Sequence, residues 1–212
     1  MKFADFANKT RNISYFKTEA LVTLAGNRRT IYNQLVAWQR QGKVHQLKRG
    51  IYTLNDIDRR APLPTLLISN ILYGPSYVSL ESALGYFGLI PERVVQVTAA
   101  TPRKTAAFKN FYGGFIYQSI KDDCFFGFQS VTLEEGVPVL MAMPEKAVLD
   151  KVYFDTAFRP DEGYFLDNLR LQNYELLNRS RLERFARRFG TQKVRKGATI
   201  LADLVRKEKR GL

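Results

Sequence analysis

The stretch Arg28-Arg29-Thr30-Ile31-Tyr32-Asn33-Gln34-Leu35-Val36-Ala37-Trp38-Gln39-Arg40-Gln41-Gly42, followed by Lys43-Val44-His45-Gln46-Leu47-Lys48-Arg49-Gly50-Ile51-Tyr52-Thr53-Leu54, changes its period part-way. In its first half Ile31, Leu35 and Trp38 recur at i, i+4 and i+7, which places them on one face of a helix. The spacing predicts a helix over 28–41, ended by Gly42, because glycine suits the left-handed position that follows many helix C-termini. The second half holds two short β-prone runs around Lys48-Arg49-Gly50, which reads as a tight hairpin. With the apolar face turned inward, the helix shows Arg28, Arg29, Thr30, Tyr32, Asn33, Ala37 and Arg40 to solvent. Its first turn joins two guanidinium groups to hydrogen-bonding side chains.

Upstream, Phe3 and Phe6 mark a short helix and Thr18 to Leu24 a second, with Ala25-Gly26-Asn27 as the turn and Asn27 as a good N-cap for the helix that follows. Helix, helix, helix, hairpin is the order of a winged helix-turn-helix, in which the N-terminal residues of the recognition helix reach base edges in the major groove. On that reading Arg28, Arg29, Tyr32 and Asn33 are the expected readers, since Arg pairs bidentately with guanine and Asn with adenine. Thr30 and Arg40 lie beside them, and Lys43 with the wing residues Lys48 and Arg49 is assigned to phosphates. Between Glu19 and Asp56 there is no acid and there are six basic residues. His45, the only histidine, has no second ligand nearby, so a structural or phosphate-facing role is expected rather than metal binding.

Charge is segregated along the chain. The total of +13 divides into +8 over residues 1–55, −4 over 56–178 and +9 over 179–212. Uniform basicity would serve solubility alone, whereas basic ends around an acidic middle point to a polyanionic partner, double-stranded DNA above an anionic membrane. The basic end carries a possible second surface made of Arg181, Arg184, Arg187, Arg188, Lys193, Arg195 and Lys196. No stretch approaches the roughly 20 apolar residues that span a bilayer, and the single cysteine, Cys124, can form no internal disulfide. A cytoplasmic protein without membrane, metal or cofactor is expected.

Beyond Asp56 to Pro64, which reads as a connector, the pattern is mixed. A helix is expected over 65–72, a short strand and small-residue helix over Tyr77 to Gly88, strands over 94–100, 115–120, 125–131 and 137–141, and a helix from Pro144. After Arg159-Pro160-Asp161 the chain is expected to be helical to its end, with Leu166, Leu169 and Tyr174 lining the first of three helices. The fold class is therefore α+β: a winged helix-turn-helix at 1–58, then a second domain at 59–212, mixed α/β over 59–158 and basic and helical over 159–212.

Taken in order, the Leu47-Lys48-Arg49-Gly50-Ile51-Tyr52 hairpin, Tyr77-Val78-Ser79-Leu80-Glu81-Ser82-Ala83-Leu84, Val97-Thr98-Ala99-Ala100-Thr101-Pro102-Arg103-Lys104 and Pro144-Glu145-Lys146-Ala147-Val148-Leu149-Asp150 resemble the AbiEi-type antitoxins of bacterial abortive-infection systems. The resemblance covers roughly residues 15–155. It implies a repressor of its own operon, acting on promoter DNA with inverted repeats as monomer or dimer. It also implies an antitoxin, in a type IV toxin-antitoxin system, to a co-encoded nucleotidyltransferase-like toxin that it need not bind directly. It offers no catalytic residues, and no enzyme is expected. Two other readings stay open: a DNA-guided, metal-dependent nuclease drawing on Glu81, Glu134, Glu135, Glu145 and Asp150, and an RNA-binding protein using the arginine-rich end.

Overall fold

The computed structural model describes residues 1–25 and 27–208; the side chains of 22–25 and 28 are outside that description. The expected turn residue Gly26 and the side chain of the expected reader Arg28 thus lie outside the described residues. The chain divides into two compact units, Met1–Ile68 with Lys109–Gly113, and Ser69–Phe108 with Gly114–Leu212.

The first unit contains α1 (Phe3–Thr10), β1 (Phe16–Lys17), α2 (Thr18–Ala25), α3 (Arg28–Arg40), β2 (Val44–Lys48) and β3 (Ile51–Leu54). Its sheet has the order β1-β3-β2 and is antiparallel throughout, with Phe16 opposite Tyr52 and Val44 opposite Leu54. The β2–β3 turn closes at Gly50, whose φ of +82° lies where a side chain would be strained. The α3 stripe Ile31, Leu35 and Trp38 is buried against Phe6, Phe16, Leu21, Val44, Tyr52 and Leu54, as its period demands. Each such side chain contributes on the order of 1.5–3 kcal/mol by leaving water. Phe6 stacks on Trp38 at 4.7 Å and meets Phe16 edge-on at 5.2 Å, so α1 is held by aromatic contact.

The stretch after β3 is more than a connector. Arg59 Nη1 donates to Thr53 Oγ1 at 2.9 Å and to the Leu54 carbonyl at 3.1 Å, and Nη2 pairs with Asp56 at 2.6 Å. Residues 109–113 complete this unit. Phe111 stacks on His45 at 4.0 Å, Asn110 Nδ2 donates to the Leu47 carbonyl at 3.1 Å, and Tyr112 OH meets Arg59 Nη1 at 2.9 Å and Asp56 Oδ1 at 3.1 Å.

The second unit follows from α4 (Thr65–Leu72), which begins in the first. Its elements are β4 (Tyr77–Val78), α5 (Leu80–Tyr86), β5 (Val97–Thr101), β6 (Ala106–Asn110) as far as Phe108, β7 (Gly113–Ser119) from Gly114, β8 (Phe128–Thr132), β9 (Pro138–Ala142), α6 (Pro144–Phe154), α7 (Arg179–Phe189) and α8 (Gln192–Glu208). The sheet order is β6-β7-β5-β4-β9-β8, and the sheet is mixed: β5 runs parallel to β7 and β4 to β9, while β4–β5 and β8–β9 are antiparallel. Helix α6 packs against α5, α7 and α8. The protein is thus of mixed α+β class. Among the described residues no helix is long and apolar enough to cross a membrane.

At the centre of the second unit is a buried polar cluster. Lys146 Nζ bonds Asp150 and donates to Tyr77 OH at 2.7 Å; Tyr77 OH and Ser79 Oγ in turn donate to Asp150 Oδ2 at 3.0 and 2.7 Å. Lys146 and Asp150 are both 0% exposed. Burial pushes the Asp150 carboxyl up and the Lys146 ammonium down, with each partner opposing the shift of the other. Gly127, at a φ of +72°, lets the stem of Lys146 pass at 3.1 Å from where a Cβ would stand.

Three expectations are corrected here. The strand expected over 94–100 starts only at Val97, and Val95 is exposed. The strand expected over 125–131 starts at Phe128, because Asp122–Cys124 forms a 3-10 turn and Gly127 bends the chain. The chain after Asp161 is not continuously helical. A π-turn at Tyr164–Asn168 gives way to left-handed Arg170 and Asn173 and a 3-10 turn at Tyr174–Leu176. The reason is competition for hydrogen bonds: Gln172 N donates to Leu89 O at 2.9 Å and Asn173 Nδ2 to Gly88 O at 2.8 Å, drawing the chain to the end of α5.

Candidate nucleic-acid interface

Helix α3 begins where Asn27 caps it, with Oδ1 accepting from Arg29 N at 2.8 Å. The cap fixes the helix phase, and with Ile31, Leu35 and Trp38 buried, Arg29, Thr30, Tyr32, Asn33 and Arg40 are all exposed. Tyr32 presents more than half its surface. Arg49 is exposed at the tip of the β2–β3 turn. A cleft of about 600 Å³ is lined by Arg29 and Tyr32 of α3, Arg49, Gly50 and Tyr52 of the hairpin, and Thr18 and Glu19 from the start of α2. Two guanidinium groups and two phenol rings facing one cleft suit a phosphodiester, which offers anionic oxygens flanked by apolar sugar.

The remaining residues expected at this interface have other surroundings. Lys43 is half-buried, with Nζ 5.0 Å from the Phe3 ring centroid, so its ammonium braces α1 as well as facing outward. Lys48 is half-buried at the end of β2, where the register shifts between Gln46 and Lys48. His45 lies under Phe111, and burial lowers its imidazole below the usual range, with Asp56 pulling weakly the other way. That environment favours the neutral imidazole and fits a packing role.

The second basic set is split by the structure. Arg181 Nη1 reaches Glu145 Oε2 at 3.1 Å, and Glu145 also accepts from Asn178 N at 2.7 Å, tying the start of α7 to α6. Lys193 Nζ donates to the Tyr153 carbonyl at 3.1 Å and to that of Asp155, and so caps the C-terminal end of α6. Arg188 lies over the Phe126 ring at 4.2 Å and Arg184 5.6 Å from the Phe185 ring, and Arg188 too is exposed. Arg184, Arg187, Arg195 and Lys196 remain exposed.

No family model and no curated protein matches the chain. Among the described residues, no group of three or more His, Cys, Asp or Glu side chains is arranged to hold a metal ion. Of the acids considered for a nuclease, Glu145 engages Arg181, Asp150 is sealed in with Lys146, and Glu81 pairs with Lys151 at 2.8 Å. Three residues lining the α3 cleft are not singled out by the sequence: Thr18, Glu19 and Tyr52. Tyr52 has a readable signal, because it alternates with Ile51 and Thr53 beside the turn glycine. Thr18 and Glu19 reach the cleft only through the β1–β3 pairing, where Lys17 lies opposite Ile51.

Proposed function

We propose that the first unit is a winged helix-turn-helix and that the protein is a DNA-binding transcriptional repressor of its own operon, serving also as antitoxin to a co-encoded nucleotidyltransferase-like toxin. One observation carries the DNA-binding half. The solvent face of α3 offers Arg29, Thr30, Tyr32, Asn33 and Arg40 without an acid among them, next to a hairpin whose turn carries Arg49. A helix with base-reading side chains in its first turns and a basic β-turn beside it has the parts for major-groove reading with phosphate anchoring. The antitoxin half rests on the resemblance of the ordered motifs to AbiEi-type antitoxins, whose Ser79–Ser82 and Pro144–Asp150 segments here form the packed centre of the second unit.

The test is an anisotropy titration of the protein on duplex DNA from upstream of its own coding sequence, against a scrambled duplex and total RNA at the same salt. Loss of one base-reading Arg costs on the order of 1–3 kcal/mol, so Arg29→Ala with Asn33→Ala should remove most of the preference for the native duplex. Undiminished preference in that variant overturns the assignment of α3. Co-expression with the neighbouring toxin tests the other half. The same variant should lose repression of a promoter reporter yet still relieve growth arrest, and a protein that relieves no arrest is not an antitoxin.

A further inference from the structure

We infer that the α7–α8 corner of the second unit is a second duplex-binding surface, holding DNA phosphates through Arg184, Arg187, Arg195 and Lys196. The inference rests on the DNA-binding reading of the first unit for the identity of its ligand, but its evidence is separate. Of the basic residues along α7 and the start of α8, the structure commits Arg181 to Glu145, Lys193 to the end of α6 and Arg188 to the Phe126 ring. Arg184, Arg187, Arg195 and Lys196 stay exposed, and none of them is ion-paired among the described residues. The two acids beside them are already matched: Glu183 pairs with Arg179 at 3.0 Å and Asp203 with Arg206 at 3.1 Å. The unpaired positive charge of the corner therefore rests on these four side chains together with Arg188, which is exposed as well and keeps its charge over the Phe126 ring.

Their grouping is a consequence of the turn. Helix α7 ends at Gly190, in the left-handed region at a φ of 73°, and Thr191 Oγ1 accepts from Val194 N at 3.4 Å to open α8. So tight a corner brings Arg187 from the last turn of α7 and Arg195 from the first turn of α8 to one groove of about 260 Å³, lined also by Ala186, Ala198 and Ala202 and by the paired Arg179, Glu183 and Asp203. With Glu183 and Asp203 each matched by an arginine of its own, the Arg187 and Arg195 guanidinium groups are the unmatched charges of this groove and suit a phosphate, which each can grip through two N–H donors. Arg184 lies three residues before Arg187 on α7, and Lys196 follows Arg195 on α8, where it lines a neighbouring depression that shares Thr199. Among the described residues, neither helix exposes a large apolar or aromatic side chain. Base stacking, on which single-strand binders rely, thus has no platform there, and the surface suits a continuous duplex backbone.

The decisive measurement is the salt dependence of binding by the full chain, with all four residues replaced by Ala. Taking away one phosphate-neutralising side chain lowers the slope of log K against log [salt] by about 0.9. The variant should therefore show a slope smaller by about 3–4 on native and scrambled duplexes alike, with Kd raised about tenfold or more on both. Unchanged slope and Kd on both duplexes overturn the inference, as does a defect confined to folded RNA or to an acidic polypeptide competitor. Circular dichroism checks folding. Should the fourfold variant unfold early, Arg187→Gln with Arg195→Gln carries the test, with about half the change in slope expected. Arg29→Ala with Asn33→Ala, run alongside, separates the two readings. If that variant keeps its sequence preference the first reading fails, while the slope change on scrambled DNA still decides the second.

Discussion

Lys146 and Asp150 stand one helical turn apart on α6, and neither touches solvent. An i, i+4 pair of this kind is ordinarily a surface feature, so the sequence shows the spacing and conceals the depth. The depth comes from β4 and the N-cap of α5, which bring Tyr77 and Ser79 to the carboxylate, and from the Phe126 and Phe189 rings, 5.0 and 4.4 Å from the ammonium. Removing one partner of such a pair strands the other charge, at a cost of about 3–5 kcal/mol. Lys146→Met should therefore be strongly destabilised in urea at neutral pH, and adding Asp150→Asn should recover part of the loss. The pH dependence has a definite sign. Burial already holds the Asp150 carboxyl above its ordinary range, and loss of the ammonium raises it further. A group whose folded pKa is raised contributes most below its unfolded value and loses that contribution as pH rises through the folded one. The deficit of Lys146→Met should thus be smaller at pH 4 than at pH 7; an equal deficit would mean that the stranded carboxylate is not its origin.

At the scale of elements, legibility follows length and self-sufficiency. Helix α3 is readable because three buried residues on one face, a capping Asn27 and a terminal Gly42 all agree on one helix. Strand β1, two residues long, exists only because Phe16 and Lys17 find Tyr52 and Ile51 opposite them, and no window of sequence carries that partner. The same holds for the break after Asn168, where the Leu89 carbonyl, just beyond α5, takes the Gln172 N–H that a continuing helix would have kept for itself. The exposed side chains of α3 can be named from sequence because they are what remains when the apolar stripe is subtracted. The α7 and α8 cations cannot be sorted that way, since Arg181 and Lys193 are withdrawn by partners far off in sequence. The cap itself makes a prediction. Asn27→Ala removes the acceptor for Arg29 N and should lower stability by about 1 kcal/mol, while Asn27→Gly should cost only a few tenths. Urea titration followed by the fluorescence of Trp38, the only tryptophan, reads this directly; equal midpoints for wild type and Asn27→Ala would remove the cap from the account.

At the scale of the whole chain, compactness does not follow the order of residues. A boundary drawn along the sequence at residue 58 has no place for Lys109–Gly113, which the fold groups with Met1–Ile68. Those residues lie between β6 and β7 or at their ends, and nothing in their composition announces contacts with residues 53 and 63 positions earlier. Their contribution is specific. Tyr112 OH bridges Arg59 and Asp56, and the Arg59 guanidinium, nearly buried, also lies 5.8 Å from the Tyr112 ring. Removing that ring opens Arg59 to water and breaks two hydrogen bonds to charged groups, each worth about 1.5–3 kcal/mol when intact, though water will replace part of the loss. Tyr112→Ala should therefore lower the Trp38-monitored unfolding midpoint, and Tyr112→Phe, which keeps the ring but loses the hydroxyl, should lower it less. Far-UV circular dichroism supplies the contrast, because α5 to α8 lie in the second unit and hold most of the helix outside α1 to α3. If residues 109–113 belong energetically to the first unit, the two probes will separate in Tyr112→Ala, with the Trp38 transition moving to lower urea ahead of the helical signal. If both transitions move together, the chain unfolds as one cooperative body and the division into two units is one of shape alone.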